Sequence, residues 1–195
     1  MGLVIFDSVV GVRKVPMTHH GLRKNSKSKG YNVIYLNMPT LDTNTIDQYM
    51  RIALGEAQVA SSQGNLPIGA VIIDLESSKI ISQGHNSQFT TFDPTAHAEI
   101  VAIRSACSIN KSPYLPNTAL IATTEPCTMC ISAILKAKIP RLYFGISNRA
   151  LIENGFKLIP FDNEKIVESS KQQMEIEGGV LADECLAQRM IKKKK

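Results

Sequence analysis

Two short stretches hold side chains that could do chemistry together: Asp93-Pro94-Thr95-Ala96-His97-Ala98-Glu99 and Glu125-Pro126-Cys127-Thr128-Met129-Cys130. One imidazole and two thiolates supply three of the four ligands of a tetrahedral zinc site, and a site with three protein ligands keeps its fourth position for water. Water held this way is a nucleophile for hydrolysis once its proton is removed. Glu99, two residues beyond His97, is the carboxylate placed to carry that proton. Each motif alone is weak. A Cys-x-x-Cys also serves redox dithiols and one half of a closed structural zinc site. The redox reading leaves Asp93 to Glu99 without a purpose. The closed site, which would make the chain a zinc-stabilised interaction domain, needs a fourth ligand; His85 is the candidate, with His19 and His20 poorly placed.

The elements that must position these residues follow from periodicity. Ile46, Met50, Ala53, Leu54 and Ala57 recur at helical spacing, predicting a helix over about 46–61 with Gly64 near its end. The nearly continuous apolar run 68–74 reads as a strand covered on both faces, and 79–85 reads as its hairpin partner. A helix is predicted over 95–108, with Asp93 as N-cap, Pro94 at its first position and Ile100, Ile103 and Cys107 inward. A third strand over 118–123 leads to a helix over 127–136, again opened by proline, with Ile131, Ile134 and Leu135 inward. A fourth strand over 141–145, a weaker fifth over 173–177 and a closing helix over 181–190 complete the pattern. Strands alternating with helices after an opening hairpin predict an α/β fold, a layer sandwich with a mixed sheet. Helix starts at the carboxyl edge of such a sheet converge, so His97 can meet Cys127 and Cys130 across 30 positions. The positive end of a helix dipole favours thiolates there.

The chain of 195 residues suits one domain with tails. We expect an N-terminal extension over 1–44, poorly ordered apart from a short strand near 31–36, a domain over 45–191 and a basic tail over 192–195. No run of about 20 apolar residues suggests a membrane span. The apolar opening precedes Arg13 and Lys14, the reverse of a signal peptide, so a cytoplasmic location is expected. With a Cys-x-x-Cys and no export signal, disulfides are not expected, and Cys107 and Cys185 read as small buried hydrophobes. The formal charge of +5 divides unevenly: residues 1–30 carry +5, the terminal Lys192–Lys195 carry +4 and residues 31–191 carry −4. The basicity belongs to solvated ends, and the body offers no phosphate-binding face.

His97-Ala98-Glu99 with Pro126-Cys127-Thr128-Met129-Cys130 resembles the signature of the cytidine and deoxycytidylate deaminase superfamily, whose zinc deaminases use such a site on nucleobases. The resemblance runs from about Thr45 to Met190 and is densest between His85 and Pro140; Asp93 to Arg104 is similar to the branch of bacterial guanine deaminases and tRNA adenosine deaminases. It implies a three-layer α/β/α sandwich around a five-stranded mixed sheet, with Zn2+ on His97, Cys127 and Cys130, and Glu99 as proton shuttle. It also implies Asn86 and Ala98 as substrate contacts, and a homodimer whose second subunit helps complete the pocket. For the substrate, Pro67-Ile68-Gly69-Ala70 and Gly179 to Cys185 resemble tRNA adenosine deaminases. The stretch Glu153-Asn154-Gly155-Phe156 resembles guanine deaminases, although Lys157 replaces the acidic residue expected next. With an acidic body, the expectation is a small-molecule purine or pyrimidine base or nucleoside, a purine such as guanine first. Transfer RNA, with adenosine converted to inosine at the wobble position, is the alternative.

Overall fold

The computed structural model describes residues 40–191. The strand expected near 31–36, most of the N-terminal extension and the lysine tail lie outside the described residues.

Helix α1, Thr43–Ser62, is capped by Asp42, whose carboxylate accepts the Thr45 N–H at 3.0 Å. Its stripe Ile46, Met50, Ala53, Leu54, Ala57 and Ala60 is buried, as its periodicity requires. Strand β1, Gly69–Asp74, forms a hairpin with β2, Ile80–His85. A short helix α2, Gln88–Thr91, precedes α3, Ala98–Asn110. Then come β3, Thr118–Thr124, and α4, Thr128–Lys136. Beyond them lie β4, Arg141–Ile146, α5, Asn148–Glu153, α6, Asn163–Ser170, β5, Glu175–Gly178, and α7, Ala182–Met190.

The sheet order is β2-β1-β3-β4-β5, antiparallel on both sides of β1 and parallel from β3 to β5. It is the expected five-stranded mixed sheet. Alternation along the strands fills both faces. Ala70, Ile72, Leu120, Ala122, Leu142 and Phe144 pack with α3 and α4 on one side. Val71, Ile73, Ala119, Ile121 and Tyr143 pack with α1 and with Leu151 and Cys185 on the other, giving three layers.

Two helix starts differ from expectation. Asp93 does not cap α3; its Oδ1 accepts the Thr95 N–H at 2.8 Å and the Thr95 hydroxyl at 2.7 Å, and its carbonyl accepts the Ala96 N–H at 3.1 Å. These bonds close a turn ahead of the helix, so His97, with ψ 153°, becomes the N-cap. In the same way Cys127, not Pro126, precedes the first residue of α4, with ψ 173°. Helices α2, α5 and α6 were not anticipated. Each of the last two has a side-chain cap that the sequence does carry: Ser147 Oγ accepts the Ala150 N–H at 3.1 Å, and Asp162 accepts the Lys165 N–H at 3.3 Å.

Candidate active site

Strands β2 and β3 both run toward one rim of the sheet, and α3 and α4 start there. His97 Nδ1 lies 3.7 Å from Cys127 Sγ and 3.5 Å from Cys130 Sγ, and the two sulfurs are 3.6 Å apart. With zinc bonds of about 2.3 Å to sulfur and 2.0–2.1 Å to nitrogen, tetrahedral angles place such donors roughly 3.5–3.8 Å apart. The three observed edges fit that triangle, so these side chains could hold zinc, and through Nδ1 of the histidine, a choice the sequence does not reveal. Among the described residues this is the group of His, Cys, Asp and Glu able to converge on a metal. His85 is not part of that group; its Nδ1 meets Glu56 at 2.7 Å.

The side chains shift one another in ways that suit a cation. Cys127 is pulled down to about 4, first by hydrogen bonding with Cys130, then by His97 against the cost of burial. Cys130 is pushed up as the partner that keeps the shared proton, and by burial. His97 is raised by its bond to Cys127. A bound divalent cation would hold both sulfurs as thiolates. Glu99, 3% exposed, is raised by desolvation, the direction that a proton carrier working near neutral pH needs.

Asn86 is fully buried just past β2. Its Nδ2 donates to Gln88 Oε1 at 2.9 Å, and Ser87 N–H donates to the Ala96 carbonyl at 3.0 Å, which draws the Asn86 end of the loop against the His97 end. Ala98 is the first residue of α3, where a backbone N–H has no partner within the helix. Both side chains are buried at the base of the rim. Gly84 explains how close α3 sits to β2: a Cβ there would lie 2.5 Å from the Ala98 carbonyl and 2.6 Å from Ala102 N.

Sequence reasoning passed over the group that ties this rim to the segment beyond β4. Glu125 Oε2 accepts the Asn148 N–H at 2.8 Å and Oε1 accepts from Asn163 Nδ2 at 3.1 Å; Nδ2 also reaches the Pro126 carbonyl at 3.0 Å. Burial pushes this carboxyl up while those two donors pull it back. One carboxylate thus fastens the starts of α5 and α6 to the turn that carries Cys127. Asn65, fully buried, does the same for α2 by accepting the Phe89 and Thr90 N–H groups at 2.9 and 3.2 Å.

Residues 43–146 match the family model described as the cytidine and deoxycytidylate deaminase zinc-binding region. The chain belongs to this family. It is a zinc-dependent nucleobase or nucleoside deaminase, with the donor set that such a reaction uses. The tRNA-specific adenosine deaminase of Haemophilus influenzae is 40% identical over 139 residues, covering 71% of this chain and 78% of that protein. Among solved structures, one from a study of A-to-I editing by tRNA:A34 deaminases is 32% identical at a TM-score of 0.63, covering 72% of this chain and 98% of the other. A guanine deaminase from Nitrosomonas europaea superposes with a TM-score of 0.69 over 90% of this chain and all of its own, at 19% identity; that likeness is one of fold.

The guanine expectation is therefore not favoured, and the residues behind it have another use in this deaminase. Gly155, at φ +77°, and Phe156 end α5: Gly155 N–H donates to the Ile152 carbonyl at 2.8 Å and Phe156 N–H to the Leu151 carbonyl at 3.0 Å. This is the pair of bonds that closes a helix through a glycine in the left-handed region. Phe156 packs against the core beside Leu151, its ring centroid 5.0 Å from the Arg189 guanidinium. Cys185 is buried as expected and its thiol is pushed up to about 12 by desolvation, while Cys107 is half-buried against the core.

Proposed function

We propose that this chain is a tRNA-specific adenosine deaminase that converts adenosine to inosine at the wobble position of the anticodon. The observation that carries this reading is the 40% identity, over most of both chains, to the tRNA-specific adenosine deaminase of Haemophilus influenzae, against fold-level likeness to the Nitrosomonas guanine deaminase. In this reading His97, Cys127 and Cys130 hold zinc. When bound, the metal lowers the pKa of a water molecule and so supplies the nucleophile.

The chain's own residues do the rest. Glu99 takes a proton from the water and delivers it toward the departing amino group, so that ammonia leaves neutral. Its burial keeps bulk water from competing for that proton. The Asn86 amide, released from Gln88, holds the edge of the base by hydrogen bonds, and the Ala98 N–H at the start of α3 offers a further donor to the base. A homodimer, the arrangement the family resemblance implies, places a second subunit beside the pocket. No helix among the described residues is long and apolar enough to cross a membrane, and a transfer RNA substrate fits the expected cytoplasmic location.

The test offers the zinc-loaded protein an anticodon stem-loop with adenosine at the wobble position, in parallel with guanine, adenine, cytosine, isocytosine and their nucleosides. The reading expects deamination of the stem-loop with far higher kcat/KM than any small molecule. Turnover of guanine with the stem-loop untouched would replace it by the small-molecule reading. Sedimentation at assay concentration checks the dimer.

A further inference from the structure

The loop between Asn86 and His97 displays two phenylalanines. Phe92 is 93% exposed, the highest value among the exposed large hydrophobic side chains of the described residues, and Phe89 is 58% exposed. The loop that carries them is well fastened. Asn65 accepts the Phe89 and Thr90 N–H groups and donates to Thr90 Oγ1 at 3.0 Å. Gln88 receives a bond from Asn86 and donates to the Pro94 carbonyl at 2.8 Å. Phe92 itself ends α2 at φ 54°, ψ 30°, a left-handed conformation in which bulky residues are uncommon. A large apolar ring held out in water on a strained but well-bonded backbone contributes nothing to the core, and such strain gathers where a protein binds something.

We propose that Phe92, with Phe89 three residues before it on the same loop, is a stacking platform for the unpaired nucleobases that flank the deaminated base in an RNA loop. The proposal rests on the tRNA deaminase function and extends it to the substrate's neighbouring nucleotides. Sequence-specific RNA recognition works on splayed, single-stranded bases, which stack on aromatic side chains. The loop ends at the Asn86 and His97 positions, so bases next to the reacting one meet its tip. Residues 31–191 carry −4, so the body attracts phosphates poorly, whereas stacking gains affinity without charge and tolerates any base. A free base has no neighbours, and for it the platform is idle.

The experiment compares wild type with Phe92→Ala, Phe89→Ala and Phe92→Trp on the anticodon stem-loop, with sedimentation of each. Because the chain has no tryptophan, Phe92→Trp also reports stacking by fluorescence. Phe92→Ala is expected to raise KM for the stem-loop on the order of 10-fold, Phe89→Ala by less, with kcat held within about 2-fold. Phe92→Trp is expected to keep the wild-type KM and to lose fluorescence when the stem-loop is added. An unchanged KM in Phe92→Ala, or a tryptophan signal indifferent to the stem-loop, overturns the proposal. So does a KM increase that appears only with dissociation of the oligomer, which would make the rings an interface between copies. A wild type that leaves the stem-loop untouched while deaminating a free base would instead overturn the proposed function, and the platform with it.

Discussion

The rim that carries His97 and Cys127 and the segment 147–172 flank the same Glu125-Pro126 turn, yet they are held in different ways. The rim is fixed by apolar packing at close range: Ala98, Ala102, Ile131 and Ile134 have no exposed surface, and Gly84 lets α3 approach β2 almost to backbone contact. The segment contributes the buried apolar side chains Leu151 and Val167 from two short helices, and leans on the Glu125 carboxylate for the starts of both. The candidate zinc ligands therefore stand on a closely packed part of the molecule, as a site needs when its donors must be placed to within a fraction of an ångström. The segment beyond β4 is attached at its helix starts by polar bonds that can be removed one at a time.

The largest effects are expected at the ligands. Cys127→Ser or His97→Ala should strip zinc, measured by metal analysis, and take deamination below detection; chelation should do the same to the wild type, with zinc restoring it. Glu99→Gln should leave zinc content unchanged and lower kcat by about 10²–10⁴-fold. A variant that lost its zinc as well would assign Glu99 to holding the site rather than to proton transfer.

Glu125→Ala tests the attached segment. It leaves the Asn148 N–H and the Asn163 amide without their acceptor, and should cost about 2 kcal/mol in urea unfolding while zinc stays stoichiometric. Metal loss as complete as in Cys127→Ser would erase the distinction between rim and segment. Smallest of all, Gly155→Ala, at φ +77°, should cost about 1 kcal/mol with kcat/KM for the stem-loop unchanged.

The same contrast explains how much could be read from the sequence. That His97, Cys127 and Cys130 converge was legible because metal chemistry restricts both residue type and spacing, and the core strands because apolar runs such as 68–74 announce themselves. The helix starts were misplaced because Asp93 has two local uses, cap and turn, and only the surrounding backbone decides between them. Helices α5 and α6 escaped because they are short and mostly exposed; their apolar period is too brief to register, although Ser147 and Asp162 stood at their starts as caps. The role of Glu125 was invisible because its partners, Asn148 and Asn163, lie 23 and 38 residues away. Gly155-Phe156 misled because a helix stop and a substrate motif can be spelled alike.

Whether this rim deaminates adenosine in transfer RNA is decided by nucleoside analysis of an anticodon stem-loop after incubation with the zinc-loaded protein and, separately, with Glu99→Gln. Inosine is expected at the wobble position with the wild type, and adenosine recovered intact with the zinc-bound variant. Intact adenosine in both, alongside ammonia released from guanine by the wild type, would contradict the assignment.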